Sequence, residues 1–167
     1  MEFMIKNVKT IFVLLFVTSI LSLSFIGKDK NSIGLNIGDK APNIRLHLDE
    51  QVIDLRQMEG KMVFISFWAS FDASSRLRNA NLYHALKEVD HIKMVSVSFD
   101  DYQSIFEDAT QKDLISLDYC LMNRFNSSSN VYETYQIGKG FKNYLLDERG
   151  TIIAKDLNPE DLKMYLN

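Results

Sequence analysis

Residues 62–76 read MVFISFWASFDASSR. The first seven, MVFISFW, form a near-continuous apolar run rich in β-branched and aromatic residues. Such a run suits a central strand buried on both faces. The next segment is different in kind. ASSRLRNANLYHALKEV, 73–89, favours helix, with Leu77, Ala80, Leu82 or Tyr83, and Leu86 near one face. The spacing therefore predicts a strand that runs through a short turn into a helix.

The same alternation continues outward from this stretch. HIKMVSVSF, 91–99, reads as a second buried strand. DDYQSIFEDATQKD is helical, with Tyr102, Ile105 and Phe106 facing inward and Asp100-Asp101 capping its start. LDYCLM, 117–122, is a short strand or extended piece, and RFNSSSNVYETYQI is a Ser/Asn-rich loop leading into a short helix. FKNYLLD, 141–147, and TIIAKDL, 151–157, form a hairpin across ERG. NPEDLKMYLN closes the chain as a helix, with Asn158 as N-cap and Pro159 in the first helical position. Upstream, NIRLHL, 43–48, and QVIDL, 51–55, pair across an Asp49-Glu50 turn. These elements specify an α/β fold: a central mixed β-sheet flanked by helices on both faces.

Bulk properties bound the function. The chain has 167 residues, 46% of them hydrophobic and 25% charged, which suits one globular domain. A net charge of −3 disfavours a nucleic-acid partner. The N-terminus is distinctive. Lys6 and Lys9 precede an apolar run from Ile11 to Ile26. Residues 1–26 are thus expected to be a signal peptide or an N-terminal membrane anchor, residues 27–36 a linker, and residues 37–167 the folded domain. The domain would be exported, either periplasmic or held at the inner membrane facing the periplasm, with any membrane contact made only through an uncleaved N-terminal segment. Cys120 is the single cysteine, so no internal disulfide is available to an exported domain of this size.

Several of these segments together carry a family resemblance. IGDKAP at 37–42, the Asp54-Leu55 of QVIDL, Gly60-Lys61, FWAS at 67–70 and YQIG…NYLLDERGTI at 135–152 resemble the exported bacterial thioredoxin-like family. The similarity is to its thiol–disulfide oxidoreductase and peroxiredoxin-related (AhpC/TSA) envelope group, and it implies a thioredoxin-like fold from about Ile37 onward. In that family FWAS leads into Trp-Cys-x-x-Cys-Arg. Here the matching residues are Phe71, Asp72, Ala73, Ser74, Ser75 and Arg76. Asp72 stands where the attacking cysteine would be, Ser75 where the resolving cysteine would be, and Phe141 where the family places a cis-proline.

The loss is decisive for thiol chemistry at this turn. Exchange requires a thiolate that attacks a disulfide sulfur, and neither a carboxylate nor a hydroxyl forms the mixed disulfide. Asp72 reads first as a helix N-cap; the alternatives are a general base beside Ser74 or Ser75, or a polar rim shared with Arg76. Trp68 and Phe71 are candidates for a partner-binding surface, or in the case of Trp68 for core. Phe141 is placed to fill the groove beside Phe71. Cys120, in an apolar context, reads as a buried hydrophobe or an intermolecular bonding partner. His47, His84 and His91 show no metal-ligand spacing, so no metal and no cofactor is expected. Asn126-Ser127-Ser128 matches a glycosylation pattern.

The resulting expectation is a redox-inactive thioredoxin-like domain that binds an envelope protein or peptide. The alternative is a thiol–disulfide oxidoreductase or peroxiredoxin-related enzyme working through Cys120 or a partner's thiol.

Overall fold

A computed structural model of the chain describes residues 32–48, 51–116, 120–122 and 131–166. The N-terminal segment 1–31 and the 123–130 stretch with its Asn126 pattern lie outside the described residues. Ile33 to Asn167 form one compact unit. Its first residues are tied in: Ile33 bridges to Lys40, and the Gly34 N–H donates to the Lys40 carbonyl. Residues 33–36, expected from sequence to be linker, therefore belong to the folded unit. Among the described residues no helix is long and apolar enough to cross a membrane.

Strands β1 (Arg45–Leu48) and β2 (Gln51–Asp54) form an antiparallel pair of their own. Then come β3 (Met62–Trp68), α1 (Ala73–Leu86), β4 (Ile92–Ser98), α2 (Gln103–Lys112) and β5 (Cys120–Met122). A short helix α3 (Val131–Thr134) precedes β6 (Asn143–Leu146), β7 (Ile152–Lys155) and α4 (Pro159–Leu162). The main sheet has the order β5-β4-β3-β6-β7. β3, β4 and β5 are parallel, with Met62 opposite Ile92 and Ser96 opposite Cys120. β6 runs antiparallel to β3, and β7 antiparallel to β6.

The central strands alternate between two cores, as the period of two requires. Val63, Ile65 and Phe67 pack on one face with Val97, Tyr144, Tyr135 and Ile137. Phe64 and Trp68 pack on the other with Leu82, Tyr83 and Leu86 of α1, Phe106 of α2 and Leu162 of α4. Both crossover helices thus cover one face, and the α3 region covers the other.

Two helix faces differ from the expectation. In α1 the buried positions are Ser75, Asn79, Leu82, Tyr83 and Leu86, while Leu77 is 64% exposed. Asn79 is buried because it meets a polar group below: the Ser96 hydroxyl donates to Asn79 Oδ1 at 2.9 Å and accepts from the Trp68 indole N–H at 2.8 Å. In α2, Phe106 faces inward, but Tyr102 and Ile105 are exposed. Nor does Asp100 cap this helix; Tyr102 occupies the cap position without a side-chain bond.

Beyond the sheet, buried Asn143 clamps the chain before α4. Its Nδ2 donates to the Leu157 carbonyl and its Oδ1 accepts the Leu157 N–H, both at 2.8 Å.

Candidate functional site

The turn after β3 is held from below by a buried carboxylate. Asp100 Oδ1 accepts from the Ser70 N–H at 2.9 Å and the Ser70 hydroxyl at 2.6 Å, and its Oδ2 accepts from the Ser98 hydroxyl at 2.7 Å. A buried carboxylate needs several donors of this kind, and these three supply them. The turn is therefore fixed to the end of β4 rather than free to open.

At its head, Asp72 is the N-cap of α1, with extended backbone angles of φ −99° and ψ 95°. Its Oδ1 accepts the Ser75 N–H at 2.7 Å, and the Ser75 hydroxyl returns to the Asp72 carbonyl at 3.2 Å. The Ser75 hydroxyl and amide hold the Asp72 carboxyl below its ordinary range, with the Arg78 guanidinium adding to the effect against a small desolvation. Ser75 is buried, and its hydroxyl also accepts the Ala69 N–H at 3.4 Å. Both residues that replace the cysteines are thus engaged in closing the helix start.

Other candidates are placed differently from the expectation. Trp68 is fully buried, its ring 6.2 Å from Phe106, so it is core and not part of a binding surface. Arg76 is not a loose rim residue. It makes a two-pronged ion pair with Asp113, 2.8 Å for each bond, and locks α1 to the end of α2. Phe71, by contrast, is 74% exposed. Phe141 lies beside it, with ring centroids 6.2 Å apart, and also contacts Phe99 at 6.0 Å. Phe99 in turn meets Tyr132 at 6.1 Å. The surface of the turn is an aromatic cluster with Phe71 at its outer end.

Sequence reasoning missed Arg78. Its guanidinium donates to the Phe141 carbonyl, which ties α1 to the segment before β6. No spacing announces a contact between residues so far apart. Every peptide bond among the described residues is trans, including those flanking Phe141.

Cys120 starts β5, which is separated from β3 by β4. Two strand spacings put it about 10 Å to the side of β3, level with Ser66 and well short of the turn. It is buried, and burial pushes its thiol up to about 11, against a small opposing effect of the Ser96 hydroxyl. His84 meets the Asp113 carbonyl at 2.9 Å and His91 the Tyr165 carbonyl at 3.3 Å. Among the described residues no cluster of three or more His, Cys, Asp or Glu is arranged to hold a metal ion.

Comparison with solved structures places this geometry. A thioredoxin-like protein from Parabacteroides distasonis is 33% identical, with a TM-score of 0.69, over 81% of this chain and 97% of that one. The chain belongs to the thioredoxin-like family. The thioredoxin domain of a thiol-disulfide oxidoreductase from Bacteroides vulgatus superposes with a TM-score of 0.68 at 24% identity, over 80% of this chain and all of that one. Among curated proteins, the thiol-disulfide oxidoreductase ResA of Oceanobacillus iheyensis is 26% identical over 151 residues, 84% of this chain and 76% of its own length. No family model matches the chain. The thioredoxin-like strand-turn-helix is therefore present in this chain, with Asp72 and Ser75 inside it.

Proposed function

We propose that this thioredoxin-like chain is a redox-inactive binding or scaffold module of the bacterial cell envelope. It holds a partner polypeptide at the aromatic surface formed by Phe71 and Phe141. The observation that carries this reading is the use of Asp72 and Ser75. Both serve as hydrogen-bonding groups at the helix start, and neither supplies a thiolate. An exposed aromatic on a rigid turn, with polar groups beside it, is a favourable anchor for a protein partner. Export is supported by the basic start and apolar run of residues 1–26.

Relatives of the chain include thiol–disulfide oxidoreductases, and that activity is the competing reading. It would have to run through Cys120 or through a partner's thiol. Burial of Cys120 and its raised pKa oppose the first route, because the thiolate is the attacking species.

Two measurements on the purified protein test the proposal. Insulin reduction and peroxide consumption should stay at the buffer rate; turnover above it overturns redox inactivity. Co-purification from envelope extracts should recover a partner that Phe71→Ala loses while circular dichroism stays native. Retention of the same partner by Phe71→Ala moves the contact elsewhere.

A further inference from the structure

We propose that a second region of the unit, the cavity between residues 33–42, the Ile137–Lys139 turn and the β6–β7 edge, binds a small organic dianion. The cavity measures about 540 Å³, within the range of roughly 300–1,000 Å³ typical of small-molecule sites. Three lysines line it, Lys139, Lys142 and Lys155, and among the described residues no Asp or Glu does. The sheet dictates this convergence. Lys155 stands directly opposite Tyr144 in the β6–β7 register. Lys142 lies two residues before Tyr144 and so projects to the same face. Lys142 and Lys155 are then diagonal neighbours, roughly 7–8 Å apart with their Cβ atoms somewhat closer. Lys139 arrives from the turn before β6 and donates to Gln136 Oε1 at 2.9 Å, a neutral acceptor.

The charge on this cluster is only partly answered by the protein. Lys142 reaches Asp156 at 3.7 Å, but those side chains are 41% and 44% exposed, so the pair is screened. Behind the lining, the buried Asp39 carboxylate is held by the Asn36 amides, so three ammonium groups stand against two carboxylates and the site stays net positive on a chain whose net charge is −3. A second cavity, of about 160 Å³, behaves otherwise: it mixes Lys40, Arg56, Lys61 and Arg149 with Glu59 and Asp147, and Lys40 pairs with Glu59 at 3.6 Å. That cavity carries its own counter-charges in its lining, and the larger one does not.

The walls set the rest of the ligand. Ile33 and Leu35 give its apolar wall. A short carbon skeleton bearing two negative charges matches both features. Lysine ammoniums are point charges without the forked geometry of arginine, so they accept carboxylate and phosphate groups alike. The cavity shares no lining residue with the Asp72 turn, and this inference stands apart from the proposed function.

The test is a calorimetric or NMR titration of the full-length protein. Succinate and glycerol phosphate are the two dianionic probes, with acetate and glycerol as controls. Either dianion should saturate with a Kd below about 1 mM at low salt and weaken as added salt shortens the screening length. The tighter of the two identifies the ligand as a carboxylate or a phosphate ester. Lys139→Gln/Lys155→Gln should weaken binding about tenfold or more, since two close charges are removed. Asp156→Asn should strengthen it by freeing Lys142, an effect that a loss of packing would not produce. Three results overturn the proposal: no saturation by about 10 mM, equal binding of glycerol, or unchanged affinity in the double variant. Should the double variant fail to fold, Lys139→Gln alone, on an exposed turn, must still weaken binding.

Discussion

On one face of the central sheet, Phe67 sits among aromatic rings: Tyr135 at 4.8 Å, Phe99 at 6.0 Å and Tyr144 at 6.3 Å. On the other face, its neighbour Trp68 sits above a hydroxyl and an amide, in the chain Trp68–Ser96–Asn79. The strands are the same and both faces are apolar cores, but the one beneath α1 also encloses a polar chain. The aromatic face is stabilised by area and close packing, which follow volume. The polar face beneath α1 depends on pairing, because a buried donor or acceptor left alone costs more than its bond contributes. Asn79 already shows the cost of this arrangement: its Nδ2 is buried without a partner among the described residues. The polar layer continues upward into the turn, where Ser98, Asp100 and Ser70 fix the loop that displays Phe71. The turn is therefore braced by hydrogen bonds from the face beneath α1, while the rings it displays, Phe71 and Phe141, continue the aromatic face through Phe99.

That contrast can be broken most forcefully on the aromatic face. Phe67→Ala should destabilise by about 3–5 kcal/mol, as large-to-small changes in packed aromatic cores do, measured by urea unfolding. Phe67→Leu should recover much of that loss. On the polar face the order of effects is different. Ser96→Ala removes little volume but strands the Trp68 N–H and the Asn79 carbonyl, costing about 1–3 kcal/mol. Adding Trp68→Phe to it should cost less than the sum of the two single changes, since the stranded indole donor goes with it. An additive double variant would mean that the Trp68–Ser96 bond contributes nothing beyond packing.

The same contrast explains what could be read in the chain beforehand. β3 and β4 were legible because doubly buried parallel strands are nearly all apolar, and MVFISFW is such a run. The inward face of α1 was not. Its buried Ser75 and Asn79 look like solvent-facing residues, and exposed Leu77 looks like core, because hydrophobic patterning cannot register a hydrogen-bond partner on another strand. Asp100 misled for a related reason. An acid before a helix reads as its cap, but its partner Ser70 lies thirty residues upstream in the preceding turn. Arg76 reads as part of a polar rim because its partner Asp113 lies at the end of the next helix. Asp72 was legible as a cap, since its partner Ser75 is local. Within the site, then, contacts a few residues apart were readable and contacts between elements were not.

The smallest expected effect discriminates most sharply between a structural and a catalytic Asp72. Asp72→Ala should cost about 1 kcal/mol, the usual value of an N-cap. The pH dependence gives the direction. Its carboxyl ionises below the ordinary 3.8 in the folded chain. The cap's charge-dependent stability is therefore complete above about pH 4 and is lost as pH falls through the lower folded value. Asp72→Asn keeps an acceptor for the Ser75 N–H without the charge. It should stay close to the native protein near neutrality and should lose less stability than the native protein on acidification. A general base needs the opposite shift, toward the working pH, and a carboxyl pulled down by its own helix start is poorly suited to take a proton there. An NMR titration that placed the Asp72 carboxyl above its ordinary value would reverse that assignment and reopen hydrolytic or acid–base chemistry at the turn.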